Sequence, residues 1–166
     1  MKIYALSDPH LSMGENVNKP MEVFGENWRE HDRKIKQGWL DCVTEEDAVI
    51  IAGDISWALK LEDAMPDLEW LDGLPGRKLM LRGNHDLWWS SVSKLNTLFD
   101  DMDFIQNDCR IAGDVAVCGS RGWNLPGSTA EWTEHDEKIY LREQLRLEMS
   151  LRAGAQSGAS RIIGAM

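Results

Sequence analysis

Short, largely apolar runs recur along the first half of the chain. Three of them have the length and composition of buried strands, namely "KIYALS" (2–7), "AVIIAG" (48–53) and "RKLMLRG" (77–83). The segments that separate them are longer and amphipathic. This alternation predicts βαβ units, and therefore an α/β domain that contains parallel strands.

Helices are predicted where polar and apolar residues alternate at helical spacing. One covers residues 26–41 and carries Trp28 on its apolar face, and a second covers 57–71, where Pro66 is expected to kink or restart it. A third covers 90–99, with a serine available as its N-cap.

The pattern changes in the second half of the chain. The pieces "DFIQN" (103–107), "CRIAG" (109–113) and "VAVCGS" (115–120) are short and strand-like, and turn residues separate them. This spacing predicts antiparallel hairpins.

A long helix and a last strand complete the pattern. Thr133 and Asp136 have the spacing of a capping box, which predicts a helix from there to about residue 152. The final segment "RIIGAM" (161–166) has the pattern of another buried strand. The long helix carries an apolar stripe on one face: Leu141, Leu145 and Met149.

Length, composition and charge indicate the size of the domain and the kind of partner it can bind. With 166 residues, 43% hydrophobic and 28% charged, the chain fits a single globular domain over 1–166. The 18 basic and 28 acidic residues give a net charge of −10, which disfavours an extended nucleic-acid surface. A phosphate-bearing substrate would have to be attracted locally, most simply by bound cations.

Location is inferred from what the sequence lacks. The N-terminal apolar run is shorter than the roughly 7–15 residues of a signal peptide, and no stretch approaches the roughly 20 residues that span a bilayer. We therefore expect a cytoplasmic protein with no membrane contact. Cys42, Cys109 and Cys118 are far apart and are expected to be free, mostly buried thiols.

Polar clusters follow each of the first three predicted strands. They are "SDPH" (7–10), "GD" (53–54) and "GNHD" (83–86). Because the carboxyl ends of parallel strands meet at one edge of a sheet, we expect these clusters to lie together. An alternative is that each cluster is only a polar turn. The occurrence of three such clusters in order, each after a strand, favours a common site.

The residue types in these clusters suit a metal site. Asp8 and His10 alternate around Pro9, Asp54 has two oxygens that could bridge two cations, and Asn84 offers a neutral carbonyl oxygen. Mixed carboxylate, imidazole and amide ligands favour Mn, Fe, Zn or Co without choosing among them. Two such ions can clamp a phosphoryl group and activate a bridging water, so the reaction class indicated is phosphoester hydrolysis by a metal-bridging hydroxide.

The series "SDPH…GD…GNHD" resembles the calcineurin-like metallophosphoesterase superfamily, and "GDISWA" with "GNHDLWW" resembles a bacterial cytoplasmic branch of it. The resemblance implies a mixed two-sheet β-sandwich flanked by helices, of the α/β (α+β) class. It also implies that Asp8, His10 and Asp54 hold a first metal, that Asp54 and Asn84 hold a second, and that His85 protonates the leaving group. Asp86 would cap the next helix or hydrogen-bond His85.

The sequence departs from the family pattern in two ways. Trp57 stands where protein phosphatases have a second aspartate, which argues against that activity. The family also has three further histidines, whereas His31 and His135 of this chain are interpreted as ordinary surface residues. We therefore expect the chain to correspond to the N-terminal two-thirds of the family fold without its C-terminal strands, with a weak second metal site and an exposed sheet edge that favours self-association.

Two functional hypotheses remain. The first is a metal-dependent phosphatase or phosphodiesterase that acts on a small phosphoester; the second is a non-catalytic remnant that binds metal or phosphate. The substrate contacts are undetermined. Aromatic and basic residues near the motifs are the candidates, although the paired tryptophans suit core packing equally well: Trp57, Trp88, Trp89 and Arg121.

Overall fold

A computed structural model describes residues 1–128 and 131–166 of the chain. Its first sheet is entirely parallel, with the strand order β1-β2-β3-β4. The three predicted strands of the first half of the chain are confirmed as β1 to β3. The bounds of the four strands are β1 Ile3–Leu6, β2 Ala48–Ala52, β3 Arg77–Leu81 and β4 Met102–Phe104.

The second sheet is mixed. It contains β5 (Cys109–Ala112), β6 (Val115–Gly119) and β7 (Arg161–Ala165) in that order. The predicted hairpin between β5 and β6 is confirmed as antiparallel, and β7 joins β6 in parallel. Together the two sheets confirm the expected two-sheet architecture.

The prediction of an antiparallel hairpin that includes β4 was wrong. β4 pairs in parallel with β3, so it belongs to the first sheet. Met102 and Phe104 of β4 join the buried cluster under the helices, whereas Asp103 forms ion pairs with Arg77 and Arg110. A three-residue strand has too short a pattern to indicate its direction, and tertiary packing decides it.

Alternate residues of the central strands enter different cores. In β2, Val49 and Ile51 pack with the helices, while Ala48 and Ile50 pack with residues of the second sheet. β3 behaves in the same way, with Met80 on the helical side. Both faces of the first sheet are therefore buried, which explains why its strands are continuous apolar runs.

Two helices cover the outer face of the first sheet. α1 spans His31–Cys42 and begins five residues later than predicted, because Met21–Phe24 and Glu26–Trp28 form 3-10 turns separated by Gly25. Trp28 therefore lies outside the helix. Glu30 follows with a left-handed φ of 51°, which sets the start of α1.

α2 spans Leu61–Asp72 and continues through Pro66 without interruption. It starts four residues later than predicted, because the preceding segment pairs with Leu11, the residue after the first motif. There Leu11 forms a β-bridge with Ser56, and the Trp57 amide donates to the Leu11 carbonyl over 3.0 Å.

The helix predicted over 90–99 is reduced to α3, Val92–Leu95. The Asn96 side chain ends it, because it accepts a hydrogen bond from the Phe104 amide at 2.7 Å and donates to the Phe104 carbonyl at 3.3 Å. Ser91 occupies the N-cap position without a side-chain capping bond.

α4 spans Glu134–Gln156 and packs on the second sheet. The predicted capping box between Thr133 and Asp136 is confirmed. Two small residues allow close contact with the sheet. The Ser150 hydroxyl accepts a hydrogen bond from the Gly119 amide, and Gly154 packs against Cys118. The apolar stripe faces away from the sheet and is exposed: Leu141, Leu145 and Met149.

The cysteines are free thiols, and Cys42 is exposed rather than buried as expected. Within the described part of the chain, no helix combines the length and the apolar character that crossing a membrane requires.

Candidate active site

The ends of β1, β2 and β3 bring the three sequence motifs to one edge of the first sheet. The amide of Asp8 donates to the Gly53 carbonyl at 3.2 Å, and the amide of His10 donates to the Asp54 carbonyl at 3.0 Å. The first motif is therefore bonded along its backbone to the second. Parallel pairing of the strands makes this meeting possible, as the sequence predicted.

Asp8, His10 and Asp54 form a compact group of potential metal ligands. One ligand atom from each lies within 4.8 Å of the others. Asp54 is buried, His10 is half-buried and Asp8 is exposed, so the group opens to solvent on one side.

The atoms of His10 fit a cation-binding role. Nε2 lies 3.7 Å from Asp8 Oδ1, and Nδ1 is buried with no hydrogen-bond partner in the described structure. A neutral imidazole has one nitrogen with a free lone pair, which can bind a cation. Two carboxylates beside such an imidazole are a donor set that suits a divalent transition metal.

The backbone at this group is strained. Asp8, His10 and Asp54 have left-handed φ values of 54°, 45° and 49°. Non-glycine residues rarely adopt this conformation, and clusters of them mark functional sites. The local fold therefore holds three side chains in a disfavoured backbone geometry at one point.

Glycines allow the second and third motifs to approach closely. A Cβ on Gly53 would lie 2.6 Å from Gly83 Cα, and a Cβ on Gly83 would lie 2.0 Å from both the amide nitrogen and Oδ1 of Asp54. The His85 amide then donates to Asp54 Oδ1 at 2.9 Å. Asn84, between these two contacts, is thus adjacent to Asp54 and is exposed.

Trp57 connects the two histidines of the site. Its ring stacks on His10 with a centroid distance of 4.7 Å and an interplanar angle of 14°. The His85 ring lies 4.8 Å away on a tilted plane, and the His85 side chain is exposed to solvent. The residue that replaces the phosphatase aspartate therefore contacts both a candidate metal ligand and the candidate acid.

Burial lowers the pKa of His10 below its usual value, and the carboxylates of Asp54 and Asp8 oppose this effect. Desolvation disfavours the imidazolium more than the two anions favour it. A neutral imidazole is the form that binds a metal.

Asp86 has a structural role that the sequence did not indicate. In the described structure it neither caps α3 nor hydrogen-bonds the His85 ring. Instead its fully buried carboxylate accepts from the amides of Gly83, Ile55 and Ser56 and from Trp88 Nε1, at 2.7 to 3.2 Å. Burial raises the pKa of Asp86, and these hydrogen bonds oppose the increase. Asp86 thereby ties the second motif to the third.

Three residues that the sequence did not assign to the site lie beside it; one of them, His31, was interpreted as an ordinary surface residue. His31 Nε2 lies 3.3 Å from the His10 carbonyl oxygen, and the Trp28 ring lies 6.0 Å from the His10 ring. Lys19 Nζ lies 5.5 Å from the centre of the Trp57 ring. The 3-10 turns and the left-handed Glu30 bring this segment over the site, and no local motif signals that contact.

The remaining candidates occupy different environments. Trp88 and Trp89 are 3% and 8% exposed and belong to the core under the helices, which is the packing role considered for them. Arg121 lines a cleft that also contains Asn84. His135 is exposed at the start of α4, as expected of a surface residue.

Comparison with a family model identifies the family of the chain. The family model described as calcineurin-like phosphoesterase matches residues 1–150, so the chain belongs to that family. It is also similar to the Gene 66 protein of Mycobacterium phage L5, at 39% identity over 80 residues. That match spans 48% of this chain and 37% of the phage protein. A solved structure with similarity is AQ665 of Aquifex aeolicus, described as a protein of unknown function, with a TM-score of 0.49 and 21% identity over 86% of this chain and 73% of that one.

Proposed function

We propose that the chain hydrolyses a small phosphoester with divalent cations held at the ends of β1, β2 and β3. The observation that carries the proposal is the convergence of Asp8, His10 and Asp54 within 4.8 Å, with a buried nitrogen of His10 lacking a hydrogen bond. Family membership supports the same reaction class. When bound, the cations would supply Lewis-acid activation of the phosphoryl group and of the attacking water.

Residues at the ends of the three strands would have different roles in binding the cations. Asp8, His10 and Asp54 would hold the first ion, and Asp54 with Asn84 would hold a second, weaker one. Mn, Fe, Zn and Co all suit these donors. The hydrogen bond from the His85 amide to Asp54 holds the third motif beside a residue that would bind both ions.

His85 would act as the general acid for the leaving group. It is exposed, so a substrate can reach its ring, and Trp57 contacts one side of that ring. A general acid must lie within hydrogen-bond reach of the atom it protonates. The contact with Trp57 limits the directions in which His85 can point, which favours such a placement.

Hydrolysis of bis-p-nitrophenyl phosphate and p-nitrophenyl phosphate with Mn²⁺ tests the proposal and separates diester from monoester preference. We expect His85→Asn to lower kcat by about 10²- to 10⁴-fold while Mn²⁺ affinity is retained. Asp54→Asn should lower both kcat and the affinity for Mn²⁺. His135→Asn, which changes an exposed histidine at the start of α4, is the matched control and should resemble the wild type.

Calorimetric titration with Mn²⁺ separates an enzyme from a non-catalytic binding module. Tight binding that Asp54→Asn abolishes, together with hydrolysis, supports the proposal. Metal binding without hydrolysis of either ester would favour the binding module, and hydrolysis that survives Asp54→Asn would assign the activity to a contaminant.

A further inference from the structure

A cleft of about 530 Å³ lies next to the candidate metal site, between the end of the second sheet and α4. Asn84 forms part of its wall, so the cleft and the metal site share a residue. The other walls include Arg121, Trp123, Tyr140 and Glu143. The lining therefore combines basic, acidic and aromatic groups.

Arginines surround the buried carboxylate of Glu143. Its Oε1 accepts from Arg146 at 2.9 Å and from Arg142 at 3.4 Å, and Arg121 Nη2 lies 3.8 Å away. Arg82 also interacts electrostatically with Glu143 and with the neighbouring arginines. Its Nε donates to the backbone carbonyl of Asp86.

Four guanidinium groups, those of Arg82, Arg121, Arg142 and Arg146, thus lie in the region of the single carboxylate of Glu143. This local excess of positive charge occurs in a chain whose net charge is −10. A concentration of cationic side chains beside a reaction site attracts anions.

Arg121 has hydrogen-bonding capacity that the described structure does not use. Its side chain is 12% exposed, and its Nε and Nη2 atoms are buried without hydrogen-bond partners. The guanidinium carbon lies 4.7 Å from the centre of the Trp123 ring, which holds the planar group at the cleft wall.

Burial lowers the pKa of Arg121, an effect that Arg82, Arg142 and Arg146 reinforce and Glu143 opposes. The charged form is therefore destabilised where it stands. An anion in the cleft would offset that cost and accept hydrogen bonds that Arg121 does not now make, since a guanidinium binds phosphate or carboxylate through paired hydrogen bonds.

We propose that the cleft binds a second anionic group of the substrate, a phosphate or a carboxylate, through Arg121, so that the substrate class is an organic phosphoester with two anionic groups. The aromatic rings of Trp123 and Tyr140 would contact its organic part. The proposal that the cleft binds an anion does not require hydrolysis, whereas the description of that anion as a substrate rests on the proposed function.

Calorimetric titration of the metal-free full chain with inorganic pyrophosphate tests the binding step, and a parallel titration with malonate distinguishes phosphate from carboxylate. The acidic metal ligands repel anions when no cation is bound, so pyrophosphate should report on the arginine cleft. We expect saturable binding that Arg121→Gln weakens by about tenfold or more.

Two further variants define the site. Arg152→Gln is the matched control, since Arg152 is an exposed arginine on α4 that pairs with Glu148; the affinity of this variant should equal that of the wild type. Glu143→Gln removes the competing carboxylate and should tighten binding by about threefold or more. If Arg121 served only to pair with Glu143, Glu143→Gln would leave pyrophosphate binding unchanged.

Absence of saturable binding by the wild-type chain, or equal affinity in the wild type and Arg121→Gln, would overturn the inference. If Arg121→Gln does not fold, as circular dichroism would reveal, Glu143→Gln decides: tighter binding supports the site, and unchanged or weaker binding contradicts it. Pyrophosphate binding without ester hydrolysis would remove only the proposed function. Hydrolysis of bis-p-nitrophenyl phosphate without pyrophosphate binding would remove only the anion cleft.

Discussion

The backbone amide of His85 donates a hydrogen bond to Asp54 Oδ1 over 2.9 Å. This bond joins the second and third motifs at the carboxylate that also lies beside Asp8 and His10. Asp54 therefore links the candidate metal ligands to the segment that carries the candidate acid. A substitution that displaces either segment should therefore affect both the candidate metal ligands and the position of the candidate acid.

Gly83→Ala should destabilise the site, because the added Cβ would lie 2.0 Å from Asp54. We expect the free energy of unfolding to fall by about 1–3 kcal/mol, and Mn²⁺ affinity to fall with it. Urea unfolding and calorimetry measure the two effects. Gly73→Ala is the control: its Cβ would have no neighbour nearer than 3.6 Å, so the stability should stay the same or rise by less than about 1 kcal/mol. Equal stability of the two variants would contradict the close approach of Gly83 to Asp54.

Asp86→Asn should be strongly destabilising although the side chain keeps its size. The amide group would present a donor toward some of the four donors that now bond the carboxylate. We expect a loss of about 3 kcal/mol in the free energy of unfolding. The same change at exposed Asp41 should alter it by less than about 0.5 kcal/mol. A similar small effect at both positions would show that Asp86 does not hold the motifs together.

Trp57→Ala should impair hydrolysis by misplacing both histidines that its ring contacts. A positional error near the reacting atoms lowers kcat by about 10- to 100-fold. Trp57→Phe retains a ring at this point and should keep most of the activity. The ring-proton NMR shifts of His10 and His85 provide a second measurement, since loss of the indole should move both. If the ring-proton shifts of both histidines are unchanged in Trp57→Ala, the contact of the Trp57 ring with them is ruled out.

The pH dependence of stability should reflect Asp114. Arg161 and Ser160 hold the pKa of this carboxyl at about 2, below its usual 3.8. A lowered pKa in the folded state means that the stabilisation is complete above pH 4 and is lost as the pH falls toward 2. Urea unfolding between pH 5 and pH 2 should therefore show a smaller decline in Asp114→Asn than in the wild type. Asp100→Asn, at another exposed carboxylate, should decline as the wild type does.

Self-association through the sheet edge remains a prediction. In the described structure β7 is an edge strand of the second sheet, and Ile162 and Ile163 are 43% and 37% exposed. Exposed edges with apolar residues favour pairing with another chain. Sedimentation over a range of concentrations should detect a dimer that Ile162→Lys weakens. Leu145→Lys, on the exposed stripe of α4, should leave it intact; a wild-type chain that is monomeric throughout would refute the prediction.

The sequence by itself determined the first three strands of the first sheet and the place of each motif after them. Continuous apolar runs such as residues 48–52 are characteristic of strands buried on both faces, and this property is local. Parallel pairing then predicted correctly that Asp8, His10 and Asp54 converge. The capping box at Thr133 was predictable for the same reason, since its partners are three residues apart.

Only the tertiary structure decided how distant segments meet around those residues. The stacking of Trp57 on His10, the approach of His31 and the bonds of Asp86 depend on loops whose contacts lie 21 to 47 residues apart, and no periodic pattern encodes them. The direction of β4 and the exposed stripe of α4 were decided in the same way. Local spacing specifies which groups a strand delivers to its end, whereas the packing of separate loops determines what each group touches.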